Sequence, residues 1–340
     1  MADSPHPNPV PASGARAHFN CPHPEPLTAT SDTITLVAGD AQVELAPAIG
    51  GSLAGFTFRG TDVLRPTSAN VRSERNVRRY ACYPLVPYSN RIANARLTFD
   101  GREHALENNF GDHPHSIHGV GWQREWQVGA VDSDSALLML GYAPEARRGA
   151  GIEAGVLPWP WAFRATQSFA LAAGASGATL TMKLSLLNTS DTAFPFGLGW
   201  HPFFPRTAAT KLGFVADGVW ETEATQLPTR RISIPADWRF DPPRALTPST
   251  IDNVFIGWNG KATLRDTERG IAVTVEADRA CGFLVVYSPA GRDFLAIEPV
   301  THMTDGFNRA AQGERATGTR TLTADAAFSA TMRLSVSTLP

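Results

Sequence analysis

Glu298 closes the apolar run Phe294-Leu295-Ala296-Ile297 and precedes Pro299. An ionised carboxylate is costly to bury unless it is paired or hydrogen-bonded, so an acid at the end of a core segment marks either a salt bridge or a reactive site. His201 is the one titratable group in FPFGLGWHPFFP. An imidazole beside Trp200, Phe203 and Phe204 would lose part of its solvation, and aromatic walls of this kind suit the C–H faces of sugar rings. A hydrogen-bonded core histidine would account for the same pattern.

Further candidates are weaker taken singly. Arg91 ends YPLVPYSNR, a proline-punctuated segment ahead of the Leu97–Phe99 strand. Its guanidinium offers fixed N–H donors, suited either to sugar hydroxyls or to loop carbonyls and a carboxylate. His113, His115 and His118 form an H-x-H-x-x-H pattern in HPHSIHG. Zinc sites normally add cysteine or carboxylate ligands at recognisable spacing, and none is apparent, so structural or acid-base roles compete with a metal. Asp252 lies in STIDNVF, where Asp-Asn before a strand reads as an ordinary turn. Asn188-Thr189-Ser190 matches a glycosylation sequon and reads as a simple turn after a strand ending near Leu186.

The elements that must position these groups are strands. Phe328, Ala330, Met332, Leu334 and Val336 alternate with Ser329, Thr331, Arg333 and Ser335, the period of a half-buried strand. Leu180 to Leu186 repeats the pattern, and Phe163 to Phe169 and Ile271 to Val275 follow it more loosely. Gly39-Asp40, Asp100-Gly101, Gly174 to Gly177 and Ser288 to Gly291 supply turn chemistry between such runs. No long window carries the stripe of an amphipathic helix. The expectation is an all-β chain of two packed antiparallel sheets with few short helices. Residues 1–30, rich in Pro, Ala, Ser and His without periodicity, are expected to be a flexible tail, and 31–340 a single domain.

Composition narrows the function. The net charge is −2, from 30 Lys+Arg against 32 Asp+Glu, which offers no general attraction to nucleic acid or anionic lipid. Cys21, Cys82 and Cys281 are few, scattered and odd in number, arguing against a disulfide framework or a cysteine metal knuckle. Neither a signal peptide nor a membrane span is evident, so a cytoplasmic protein is expected.

In their order along the chain the pieces resemble the aldose 1-epimerase (galactose mutarotase-like) family. The resemblance rests on Asn90-Arg91, Ile117-His118-Gly119, Gly199 to Phe204 (GWHPFF), Asp252 to Phe255 (DNVF) and Glu298-Pro299, a set spanning about 210 residues. It implies a β-supersandwich from about residue 32 onward and an isomerase that interconverts the α and β anomers of a free aldose. It also implies Glu298 as general base, His201 as general acid and His118 as a second histidine near the ring oxygen. Arg91 and Asp252 then hold sugar hydroxyls, with the adjacent Asn90 and Trp200 as further substrate-binding candidates, and His113 and His115 are not carried over. Opening a hemiacetal needs a proton removed from O1 and one delivered to O5, so paired acid-base groups suffice without cofactor or metal. The resting protein would then hold Glu298 ionised and His201 protonated.

The implied partner is a monosaccharide, with the chain a monomer or homodimer. Sugar-6-phosphate mutarotases use extra basic residues, and Arg124 in GWQREW is a candidate for that variant; His302 is expected to cap its loop. A non-catalytic sugar-binding sandwich is the competing class. It would need matched donors and acceptors but no acid-base pair. A glycoside hydrolase or lyase would call for a second catalytic carboxylate or a helical domain, and neither is marked.

Overall fold

The computed structural model describes residues 33–145, 155–246 and 248–339; the tail expected over residues 1–30 lies outside them. The alternating runs fold as strands of a nine-stranded antiparallel sheet. Its order is Gln127–Val131, Ser135–Tyr142, Phe163–Gly174, Gly177–Asn188, Ala327–Thr338, Ile271–Ala277, Lys261–Asp266, Thr210–Phe214, Arg244–Ala245. Register shows why the period-two segments belong together: Leu180 opposes Leu334, Met182 opposes Met332 and Leu184 opposes Ala330. All six are buried on one face, and each large apolar side chain so removed from water contributes about 1.5–3 kcal/mol.

A second sheet of eight strands runs Pro228–Ile232, Gly218–Thr222, Ile251–Ile256, Phe283–Ser288, Phe294–Val300, Gly199–Trp200, Pro84–Leu85, with Phe203–Pro205 also paired to Phe294–Val300. Its Leu284, Val286, Leu295 and Ile297 join the apolar residues of the first sheet in one core. Tyr83, Phe203, Val254, Val285 and Ala296 form a separate cluster. The parity of strand side chains puts that cluster on the opposite face of the same sheet.

Helix is scarce, as the missing helical stripe led us to expect: among the described residues the α-helices are Ala69–Glu74 and Gly306–Ala311. No helix among them is long and apolar enough to cross a membrane. The turn signals hold at Gly174–Gly177, which closes the hairpin of Phe163–Gly174 and Gly177–Asn188. At Asn188 the side-chain oxygen accepts the Ser190 amide at 2.8 Å, an Asx turn where the sequon lies. Asp252 departs from expectation. It sits inside the strand Ile251–Ile256, opposite Tyr287, because the apolar residues following Asp-Asn pair on both sides and draw the dipeptide into the ladder.

Candidate active site

The strand Phe294–Val300 has a broken neighbour on one side. Phe203 pairs with Ala296 and Gly199 with Val300, a register that brings His201 opposite Glu298. The intervening ladder carries Pro202 and Pro299, neither of which has an N–H to donate. The gap lets the two side chains meet: His201 Nε2 lies 3.3 Å from Glu298 Oε1. On the far side the His201 amide donates to the Tyr83 carbonyl at 3.0 Å. Tyr83, His201 and Glu298 thus form a row across three strands, facing one way.

These three groups form the floor of a cavity of about 800 Å³. Glu298 is 2% exposed, and His118 and His201 7% each. Tyr83 and Phe203 hold the His201 ring at centroid distances of 4.8 and 4.4 Å, the Phe203 contact stacked. Glu298 Oε2 and His201 Nδ1 are buried without a hydrogen-bond partner, a rare condition that points to a ligand or to chemistry.

A short ribbon delivers the remaining groups. Arg91–Ile92 pairs with Ser116–Ile117, and beyond it the His118 amide donates to the Asn90 carbonyl at 2.9 Å. The Asn90 amide in turn donates to His118 Nδ1 at 3.0 Å. Because Nδ1 accepts, the neutral His118 ring carries its proton on Nε2 and is a donor there. Asn90 and His118 both take positive φ, 56° and 65°, a conformation that stores strain and concentrates at functional sites. Gly119 must be glycine, since its φ is +71° and a Cβ would lie 2.3 Å from the Val86 carbonyl oxygen. Arg91 donates to Asn90 Oδ1 at 3.0 Å and to Asp252 Oδ2 at 3.2 Å, and all three residues line the cavity.

The structure therefore brings together Glu298, His201, His118, Arg91, Asp252 and Asn90. It does not bring Trp200. That side chain is fully buried in the core, because adjacent residues of an extended strand face opposite ways and His201 takes the cavity side. The aromatic wall comes instead from Tyr83, Phe203, Tyr287, Phe294 and Phe110. Phe203 is where the sequence led us to expect it, beside His201, and Phe294 shares parity with Glu298, a signal that could have found it; Tyr83, Tyr287 and Phe110 carry none.

His302 behaves as a brace. Its Nε2 accepts the Ser89 amide at 3.1 Å and its Nδ1 lies 2.7 Å from the Met303 carbonyl, tying the 86–91 segment to the end of the Glu298 strand. His115 accepts from the Asn94 amide and contacts the Thr225 carbonyl, so its ring is taken up by two neighbouring segments. No group of three His, Cys, Asp or Glu able to hold a metal occurs among the described residues. Arg124 lies over the Tyr142 ring at 5.3 Å and is not among the cavity residues, so a phosphate role at this site does not fall to it.

Burial dominates the electrostatics. It raises the Glu298 carboxyl well above the usual carboxylate range, with Asp252 adding to the rise, and it lowers His201 to about 3. Burial opposes charge on His201 and on Glu298 alike, while their contact at 3.3 Å offers a single compensation, the attraction of opposite charges. Two costs against one gain favour the neutral pair, with one proton held between them. This differs from the expected resting state of ionised Glu298 and protonated His201, because burial disfavours the charged form of both groups.

The same burial predicts acid sensitivity. Burial also lowers His118 well below its ordinary value, and His302 to about 4. Unfolding frees these rings to bind protons below their unfolded pKa near 6.5, so stability is full above that pH and falls as pH drops toward the folded values. Between pH 7 and 5 His201 and His302 should each remove about 2 kcal/mol. Glu298 opposes them in part: its raised pKa penalises the native state as pH rises past about 4.5, and acid relieves this. Urea midpoints at pH 7 and 5 should fall with net proton uptake on unfolding; net release would contradict the neutral, buried histidines.

The family model described as Aldose 1-epimerase matches residues 32–335. The uncharacterized protein YphB of Escherichia coli (strain K12) is 32% identical over 289 residues, 82% of this chain and 91% of that protein. A crystal structure of an Escherichia coli K12 protein, itself only provisionally assigned as an aldose 1-epimerase, superposes with a TM-score of 0.77 at 28% identity, covering 90% of this chain and 99% of that one. A galactose mutarotase-like protein from Clostridium acetobutylicum gives a TM-score of 0.74 at 20% identity over 90% and 95% of the two chains; at that identity the likeness concerns the fold.

Proposed function

The chain belongs to the aldose 1-epimerase family, and on that premise we propose that it interconverts the α and β anomers of a reducing sugar. The observation that carries the proposal is the His201–Glu298 contact of 3.3 Å on the floor of the cavity. A pure binding site needs hydroxyl-matched donors and acceptors, and has no use for two desolvated groups competing for one proton.

In the proposed reaction Glu298 takes the proton from the anomeric hydroxyl while His201 delivers one to the ring oxygen. The C1–O5 bond breaks with its electron pair going to O5, and O1 becomes the aldehyde oxygen. Rotation about C1–C2 presents the other face, and reclosure reverses both proton transfers. Each passage returns the pair to a single shared proton, so neither redox cofactor nor metal enters the balance. Hydrogen bonds from the sugar to Glu298 would favour its ionised form and move that proton to His201. His118, a donor at Nε2, supports the ring oxygen, while Arg91 and Asp252 hold hydroxyls as donor and acceptor, with Asn90 fixing the arginine.

Polarimetry of freshly dissolved α-glucose, α-galactose, arabinose, xylose and glucose 6-phosphate tests this directly. At least one sugar should reach its equilibrium rotation well ahead of buffer. If calorimetry shows a sugar bound while no rotation is accelerated, the protein is a binding relative and the proposal is wrong.

A further inference from the structure

The chain as a whole carries a net charge of −2, but its cavity is basic. Five guanidinium groups line it, Arg65, Arg78, Arg79, Arg91 and Arg292, against three carboxyls, Asp252, Asp293 and Glu298. Arg91 is taken up by Asp252, and Arg79 pairs with Glu74 at 2.7 Å outside the cavity. Among the described residues no carboxylate lies within salt-bridge distance of Arg65, Arg78 or Arg292.

Their placement is ordered. Arg65 is half-buried, with its guanidinium over the Phe203 ring at 3.8 Å and the Phe294 ring at 4.7 Å. Its Nη2 holds the Arg78 and Tyr80 carbonyls at 3.2 and 3.0 Å, fixing the segment that carries Arg78, while its Nε is buried without a partner. Arg78 lies over Phe110 at 4.7 Å. Arg78 and Arg292 are exposed and so stand at the mouth, whereas Glu298, His201 and His118 are buried at the floor. A desolvated guanidinium with no carboxylate at salt-bridge distance is costly to maintain, and burial lowers Arg65 to about 10 although Asp293 partly offsets it. Planar, permanently charged forks set on aromatic rings are what oxyanion recognition uses. The cavity of about 800 Å³ lies toward the upper end of ordinary ligand pockets and has room for a sugar with a substituent.

We infer that the natural substrate is an anionic aldose, a reducing sugar whose phosphate, carboxylate or sulfonate group is held at the cavity mouth by Arg65, Arg78 and Arg292 while C1 meets Glu298 and His201. This rests on the mutarotase proposal and names its substrate class. The three anions share the chemistry of a small, multiply accepting oxyanion.

The test compares kcat/KM by polarimetry for glucose, glucose 6-phosphate, glucuronate and a 6-sulfonated glucose, in the wild type and in Arg78→Gln/Arg292→Gln, with a melting curve for each. Both positions are exposed, so the variant should fold. One anionic sugar should exceed glucose by at least about tenfold, and the double variant should cut that preference by about tenfold or more, each factor of ten corresponding to 1.4 kcal/mol. The preferred arm identifies the anion. Equal or better turnover of glucose, with no change of preference in the variant, would overturn the anionic subsite and leave the mutarotase proposal standing. If no sugar is turned over but calorimetry shows an anionic sugar bound more weakly by the variant, the subsite stands and the mutarotase proposal fails. Absence of both turnover and anionic binding would overturn both.

Discussion

Glu298→Gln should abolish most anomer interconversion while leaving sugar affinity close to wild type. Glutamine keeps the shape of the side chain and can still hydrogen-bond the anomeric hydroxyl, but it cannot take the proton. General-base contributions are typically about 10²–10⁴-fold, or roughly 3–5 kcal/mol of barrier. The contacts offered by Arg91, Asp252 and the Phe203–Phe294 wall are made in the ground state and survive the change, so the loss should fall on kcat. The variant should also be no less stable. Glu298 is 2% exposed with one oxygen unpartnered, and a neutral amide avoids the penalty that the raised pKa of the buried carboxyl imposes on the native state at neutral pH. Polarimetric turnover, calorimetric affinity and a melting curve on the same preparations check all three points. Turnover within about threefold of wild type in a folded variant would remove Glu298 from the proton-transfer step.

What the sequence reveals about this site follows from the range over which its signals act. Strands such as Gly177–Asn188 and Ala327–Thr338 are legible because alternation is local, and each needs only its own residues to show which face is apolar. Their pairing across about 150 positions is not local, and no spacing rule supplies it. The approach of His201 to Glu298 is of that second kind. The two are 97 positions apart in the chain and meet only because the register of two strand pairs, interrupted by Pro202 and Pro299, sets them opposite; only the family resemblance proposed them together. Trp200 shows the opposite failure. Its neighbour His201 faces the cavity, and in an extended strand that alone sends Trp200 to the core, so the local rule was sufficient and the appeal of an aromatic beside a histidine overrode it. The basic mouth was invisible for a third reason. Arg65, Arg78 and Arg292 come from separate segments, Arg78 from the short 3-10 helix Val77–Arg79, and share no period, and nothing marks them among the chain's 30 Lys+Arg.

The coupling of the two floor residues yields the sharpest test. His201→Gln places an amide near the position of Nε2, able to hydrogen-bond Glu298 but unable to carry a proton to the ring oxygen, and should cost about 10²–10⁴-fold in kcat. If Glu298 and His201 work as one proton-exchanging unit, the double variant Glu298→Gln/His201→Gln should be little slower than the slower single one, since removing either partner already disables the unit. Independent contributions would instead multiply. The residual activities should also respond to pH in opposite directions. In His201→Gln the remaining group is a carboxyl raised well above its ordinary range. It acts as a base only when ionised, so the residual rate should climb as pH rises. In Glu298→Gln the remaining group is an imidazole lowered to about 3. It donates only when protonated, so the residual rate should climb as pH falls. The wild type, whose pair holds one proton throughout, should show neither slope across the neutral range. Rates corrected for the uncatalysed reaction at pH 5 to 8 decide the matter: parallel profiles in the two single variants, or multiplicative losses in the double, would mean that the groups act separately and that the shared proton is not the working state of the site.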